Sequence, residues 1–141
     1  MTAAAHAADP ADRWDLLIVL TAPPFDSDIV TTVLRLLDAT LRHGARVQVW
    51  ACGYATTLTQ RALGHSKPRN LRRLRADHPS TAALVDGLRQ AYPDAFDWQV
   101  CRFCAEDRGA VDHIDGVGTR SFSRFPRHVA AAATTVYVGG A

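Results

Sequence analysis

The chain has 141 residues, of which 48% are hydrophobic and 21% charged, the composition of an ordinary globular domain, which excludes a disordered or fibrous protein. Sixteen Lys and Arg against fourteen Asp and Glu leave a formal charge of only +2, a balance that does not favour nucleic acid or an anionic membrane as partner. The longest strongly apolar stretch, Leu16 to Ala22, is far shorter than the roughly 20 residues that cross a bilayer.

The amino-terminal segment 1–12 is rich in alanine and has neither the basic start nor the long apolar stretch of a signal peptide. It predicts a short flexible leader in front of a single domain over residues 13–141, and a cytoplasmic location. In that reducing compartment, the three cysteines of the chain are expected as free thiols rather than as a disulfide framework.

A strand, a helix and a second strand are predicted in the first third of the chain. The nearly unbroken apolar run from Trp14 to Thr21 is typical of a strand buried on both faces. Helical spacing of apolar residues follows Asp26, Ser27 and Asp28, which are residue types that cap a helix, and Gly44 is expected to close this helix. With a second strand over 46–52, the order indicates a right-handed parallel crossover.

The remaining elements continue this alternation. A short helix is predicted over 55–63, a polar, arginine-rich loop over 64–77, and a helix that Ser80 caps. A third strand over 98–103, a helical turn over 104–109, a helix over 123–133 and a last strand over 134–139 complete the chain. The sequence therefore predicts a doubly wound α/β fold, with at least four parallel strands and helices on both faces of the sheet.

Ligands and chemistry in such sheets collect at the carboxyl ends of the strands. Four segments reach that edge, 21–28, 52–57, 101–109 and 139–140, and all three cysteines fall within them. Asp26 also lies there, although a role as a helix cap explains Asp26 and Asp28 better than a carboxylate pair.

The segment from Cys101 to Gly109 carries the most chemistry. Two thiols three residues apart pass from a strand end into a helix start, where amide donors and the helix dipole lower the pKa of a thiol, and Arg102 and Arg108 add positive charge. A thiolate there is the nucleophile that persulfide or disulfide exchange needs. The alternative is that Cys101 packs in the sheet and Cys104 fills a gap between helix and sheet.

A metal site is not expected from the spacing of the cysteines. Zinc needs four ligands, and Cys52 with His113 or His65 completes the set only on paper. Cys52 itself is either a resolving or relay thiol, because neighbouring strand ends lie close together, or a buried cysteine that only packs.

Five cations lie within nine residues of the polar loop, from Lys67 to Arg75. They suit an acidic partner or an RNA backbone. A solvated surface loop is the favoured interpretation, because no aromatic residue is interleaved with them.

Taken in order, these features resemble the DsrE-like sulfur-relay family. The first strand ends in Thr21-Ala22-Pro23, the second ends near Gly53-Tyr54, a cysteine-bearing third strand runs into Arg108-Gly109, and a closing helix leads to the strand Val136-Tyr137-Val138. Members of the family keep a sulfur-accepting cysteine eight or five residues before the glycine of the Arg-Gly pair, and Cys101 and Cys104 match these two positions. The resemblance covers roughly residues 14 to 139.

The resemblance implies a flavodoxin-like three-layer sandwich, no cofactor, a persulfide carried on the cysteine, and trimers or hexamers, sometimes with sister subunits. The sequence then predicts a sulfur carrier or sulfurtransferase that takes sulfane sulfur from a donor protein onto Cys101 or Cys104 and passes it to an acceptor protein. Arg102, Arg108, Cys52 and Asp26 are the candidate supporting or binding residues. The alternatives are a non-catalytic subunit that acts in assembly, and a thiol–disulfide redox protein that uses Cys101 and Cys104. The loop over 64–77, longer and more basic than is usual in the family, leaves the partner open.

Overall fold

The computed structural model describes residues 12–24, 28–67 and 78–139. Strands and helices alternate along these ranges: β1 Trp14–Leu20, α1 Ile29–Arg42, β2 Val47–Ala51, α2 Thr81–Ala91, β3 Phe96–Cys101, α3 Arg102–Asp107, β4 Gly118–Arg120, α4 Phe125–Ala131 and β5 Ala132–Val138. Two 3₁₀ segments, Gly53–Thr59 and Arg61–Leu63, lie between β2 and α2, and a third, Phe122–Arg124, precedes α4.

The strands form one sheet in the order β4-β3-β2-β1-β5, and every neighbouring pair is parallel. The chain moves outward from β1 to β4 and then crosses back to place β5 on the other side of β1. Because parallel crossovers are right-handed, this reversal puts α4 on the opposite face from the helices that precede β4. The predicted doubly wound α/β fold is confirmed.

The main hydrophobic core lies between the sheet and the helices α1 and α2. Val33, Leu37 and Leu41 recur at helical spacing on α1 and are almost fully buried, as is Val85 on α2. They pack against side chains of the central strands such as Val49. Burial of a side chain of this size stabilises the fold by roughly 1.5–3 kcal/mol.

The predicted helix ends are confirmed in two places. The Ser80 hydroxyl accepts a hydrogen bond from the backbone N–H of Ala83 at 3.1 Å and so caps α2. Gly44, at a φ of +85°, follows α1 and donates its N–H to the carbonyl of Leu41. Asp28 precedes α1 without a side-chain capping bond, so capping by its carboxylate was a wrong expectation. Asp26 and Ser27 lie outside the described residues.

The second face of the sheet is covered by α4. Phe125 and His128 of this helix contact the indole of Trp50, with ring centroids 5.4 and 4.9 Å away. A polar row continues from there, because His128 Nδ1 donates to Gln48 Oε1 at 2.8 Å and Gln48 Nε2 donates to Asp97 Oδ2 at 2.7 Å. Burial lowers the pKa of His128, against the opposing effect of Asp97.

Several element bounds differ from the sequence-based expectation. The strand β4 was not predicted, and the region 55–63 forms 3₁₀ segments in place of the expected helix. The third strand spans Phe96–Cys101, so the helix after it begins at Arg102 and not at Cys104. The last strand starts at Ala132, where it pairs with Trp14, and thereby shortens the expected closing helix.

None of the helices in the described ranges has the length and apolar character that crossing a membrane requires. Of the basic loop, Lys67 is described and exposed, and the four arginines that follow it lie outside the described residues. The predicted leader falls, apart from Asp12, outside them as well.

Candidate functional site: a cluster of three cysteines

Two neighbouring strand ends bring the three cysteines together. Cys52 follows β2 directly and Cys101 is the last residue of β3, and the two strands are paired in parallel with Ala51 opposite Val100. Cys104 is the third residue of α3, so its side chain returns toward the same strand ends. The carboxyl edge of the sheet therefore carries all three thiols, as the sequence predicted.

The sulfur atoms lie in direct reach of one another. Cys52 Sγ and Cys104 Sγ are 3.3 Å apart, and the three Sγ atoms all lie within 4.8 Å of one another. All three cysteines are reduced. Cys101 is only 2% exposed and also packs against Leu17 and Trp50, whereas Cys52 and Cys104 are partly exposed. A molecule arriving from solvent can therefore reach Cys104 and Cys52 but not Cys101.

The cluster favours a negative charge on Cys104. Partial burial by itself raises the pKa of this thiol. Three hydrogen bonds act in the opposite direction: the sulfur accepts them from the N–H of Gly53 and from the thiols of Cys52 and Cys101. Together with the nearby guanidinium of Arg108, they lower the pKa of Cys104 below its ordinary value. The expected lowering therefore occurs at Cys104, with donors from a neighbouring strand end in addition to the arginine.

The neighbouring thiol behaves in the opposite way. Burial, the hydrogen bond to Cys104 and repulsion by the charges of Cys101 and Cys104 raise the pKa of Cys52 to about 12. Cys52 therefore stays protonated at neutral pH, and its S–H is the donor in the hydrogen bond to the Cys104 sulfur. The pKa values of the two partly exposed thiols are therefore shifted in opposite directions.

Gly53 is placed by a backbone conformation that suits glycine. Its φ is +56°, in the left-handed region that other residues rarely adopt. A Cβ at this position would make only an ordinary contact, 3.7 Å from the Thr21 carbonyl oxygen, so the backbone conformation and not lack of space favours glycine. This turn directs the Gly53 N–H at the cysteines. In the sequence, Gly53 was predicted only as part of the family pattern, and its position directly after a strand end was the signal for this role.

The two arginines beside the cysteines have different surroundings. The Arg108 guanidinium lies 4.6 Å from the centre of the Tyr54 ring and donates to the carbonyl of Cys104 at 3.2 Å. Arg102 is exposed and makes no hydrogen bond or ion pair to the described part of the chain, and Arg108 is the arginine that acts on the Cys104 sulfur. Asp26, the remaining supporting candidate, lies outside the described residues.

Histidine does not join the cysteines. His113 is buried, and its Nδ1 is hydrogen-bonded to the hydroxyl of Thr59 at 3.0 Å. Within the described ranges, the cluster of possible metal ligands consists of the three cysteines alone, so neither His113 nor His65 completes the four-ligand zinc set weighed from the sequence.

Two exposed aromatic residues, Phe103 and Tyr54, neighbour the cysteines in the chain. Phe103, which precedes Cys104, is 68% exposed, and Tyr54, which holds Arg108, is 58% exposed. Exposed rings of this size are enriched at protein interfaces. The segments that carry Cys52 and Cys104 therefore each expose a large ring to solvent.

Comparison with known proteins supports the fold. No model of a protein family matches the sequence, and no curated protein matches it. Among solved structures, the YchN protein from E. coli matches with a TM-score of 0.66 and 16% sequence identity over 89% of this chain and 99% of that chain. This likeness shows that the two proteins share a fold, a parallel α/β sandwich.

Proposed function

We propose that this protein is a sulfur carrier that accepts sulfane sulfur on Cys104. The observation that carries the proposal is the convergence of three thiols on a partly exposed Cys104 whose pKa is lowered. A lowered pKa raises the fraction of Cys104 that is thiolate at neutral pH, and the thiolate is the form that attacks a sulfur–sulfur bond. The DsrE-like fold and the resemblance to sulfur-relay proteins agree with this chemistry.

The transfer needs one bond made and one broken at each step. The Cys104 thiolate attacks the outer sulfur of a donor persulfide, a new sulfur–sulfur bond forms on Cys104, and the donor leaves as a thiolate that takes up a proton. An acceptor thiolate then attacks the outer sulfur of the Cys104 persulfide, and Cys104 leaves as the thiolate that Gly53, Cys52 and Arg108 stabilise. Sulfane sulfur moves without any net change in oxidation state.

Donor and acceptor are proteins in this proposal, because the sulfur is partly enclosed and the surrounding surface presents Phe103 and Tyr54. We place the protein in the cytoplasm, where free thiols persist. Three exposed apolar residues suit assembly with further copies or sister chains. They are Phe122 just before α4, Val129 on α4 and Tyr137 on β5.

The test is sulfur loading followed by intact mass. Incubation of the reduced protein with a cysteine desulfurase and cysteine should add one sulfur atom to the wild type and to Cys101→Ser, and none to Cys104→Ser. Retained loading in Cys104→Ser with loss in Cys101→Ser would move the acceptor role to Cys101. No loading in the wild type with several donors would leave the non-catalytic assembly subunit as the function, and its role should survive alanine at both cysteines.

A second function is thiol–disulfide exchange through Cys52 and Cys104. The sequence suggested Cys101 and Cys104, but the structure adds a contact of 3.3 Å between the sulfurs of Cys52 and Cys104, the two partly exposed cysteines. Exchange with a disulfide substrate would transfer two electrons to it and join these two cysteines. Titration against a dithiol couple, followed by peptide mapping, should then find a reversible Cys52–Cys104 crosslink, and its absence at every ratio removes this function.

A further inference from the structure

We infer that the cysteine cluster is also a binding site for a soft monovalent metal cation, of the copper(I) type, held by the Sγ atoms of Cys52, Cys101 and Cys104. The site differs from the sulfur-transfer role, which uses one nucleophilic sulfur, because it requires all three thiols at once.

The spacing of the sulfurs fits a three-coordinate ion. A cation about 2.3 Å from each of three thiolates in a plane needs sulfur atoms roughly 4 Å apart. The Cys52 and Cys104 sulfurs are 3.3 Å apart and no pair in the cluster exceeds 4.8 Å. Shifts of less than about 1 Å in the side chains therefore place every sulfur at bonding distance, with no change in the strands that carry them.

The ligand set selects the kind of ion. In the described residues, no histidine or carboxylate joins the cluster, so it offers three soft sulfur ligands and no fourth protein ligand. Structural zinc is almost always four-coordinate, whereas soft thiolates favour copper(I). The lack of a fourth ligand among the described residues, which disfavours zinc, therefore does not disfavour an ion that three sulfurs satisfy.

Charge and burial are compatible with such an ion. Each thiol coordinates as a thiolate, so binding of the ion releases to solvent the protons that the three sulfurs carry. Three thiolates and a monovalent cation leave two negative charges, and the Arg108 guanidinium beside Cys104 offsets part of them. Burial of Cys101 and partial burial of the other two thiols shield the ion from water and competing ligands.

The experiment is anaerobic titration of the reduced full-length protein with copper(I), in competition with a chromogenic copper(I) chelator. We expect one ion per chain. Each of Cys52→Ser, Cys101→Ser and Cys104→Ser should weaken binding by more than about 100-fold, because loss of even an outer-shell partner costs roughly 10–100-fold. Glu106→Gln, which changes an exposed carboxylate on the same helix, is the control and should keep the affinity.

X-ray absorption at the copper edge of the wild type makes the result independent of variant folding, because it counts the sulfur neighbours. Three sulfur neighbours support the site. Two sulfur neighbours, or wild-type affinity in Cys101→Ser, would mean that copper only bridges the exposed pair, and would overturn the inference. Sulfur loading of Cys104 is measured without metal, so failure of either proposal leaves the other standing.

Discussion

Replacing Cys52 with alanine removes one of the donors that stabilise the Cys104 thiolate. The thiol of Cys52 lies 3.3 Å from Cys104 Sγ and keeps its proton at neutral pH, since its pKa is raised to about 12. Hydrogen bonds to charged groups are worth roughly 1.5–3 kcal/mol, and S–H is a weak donor, so we take about 1 kcal/mol for this one. Its loss should raise the pKa of Cys104 and reduce the thiolate population about fivefold at a pH below that pKa.

The assay is the rate of alkylation of Cys104 against pH, with the modified peptide identified by mass. Cys52→Ser is the matched control, because its hydroxyl is of similar size and still donates, so its profile should stay close to that of the wild type. Cys52→Ala should react more slowly than Cys52→Ser at neutral pH and equally fast at high pH. Identical profiles for the two variants would refute the assignment of Cys52 as a donor.

Three further predictions concern the turn, the second sheet face and the core. Gly53→Ala should cost about 1–2 kcal/mol of unfolding free energy, because alanine disfavours the left-handed turn, and it should raise the pKa of Cys104, because the Gly53 N–H is displaced. Gly44→Ala, also at positive φ, is the control: it should lower stability in urea and leave the alkylation of Cys104 unchanged. Burial lowers the pKa of His128 in the folded protein. The stability that the neutral His128 side chain contributes is therefore complete above a pH of about 6.5 and is lost as the pH falls through the lower folded pKa. His128→Gln should therefore flatten the fall in thermal stability on acidification, and an unchanged slope would argue against it. Leu37→Ala should cost about 2–5 kcal/mol in denaturant unfolding, against about 0.5 kcal/mol or less for the exposed neighbour Leu36→Ala, and similar losses in both would contradict the packing of α1.

The fold was predictable where burial leaves a periodic pattern. The apolar runs of β1 and β2 and the helical spacing of α1 indicated their elements, because these segments pack on both faces or on one stripe. The strand β4 left no such pattern, since Gly118–Arg120 has three residues, no large apolar side chain and an edge position. The boundary between α4 and β5 was predicted too late in the chain, because the alanines from 130 to 133 have a high helix propensity. In the structure Ala132 pairs with Trp14 of β1, so the strand begins there.

The position of the cysteine cluster in the fold was predictable from the sequence, but the different burial and contacts of its three thiols were not. Strand order put all three cysteines at one edge, and spacing identified the pair Cys101 and Cys104. The division of roles depends on depth and angle: Cys101 is buried, and Cys104 returns toward Cys52 across the neighbouring strand end. Sequence spacing does not contain these distances, because Cys52 and Cys104 are 52 residues apart.

The outer border of β5 has a consequence for handling and assembly. β5 is an edge strand, and its sequence AATTVYV carries no charge and no proline. Charged residues and proline are the features by which proteins usually prevent edge-to-edge aggregation. Among the described residues no strand pairs with that side of β5, so we expect its backbone groups to be available for pairing with the same strand of another copy. At high concentration the protein should associate through β5 unless a partner covers this edge. A single lysine introduced on β5 should prevent that association.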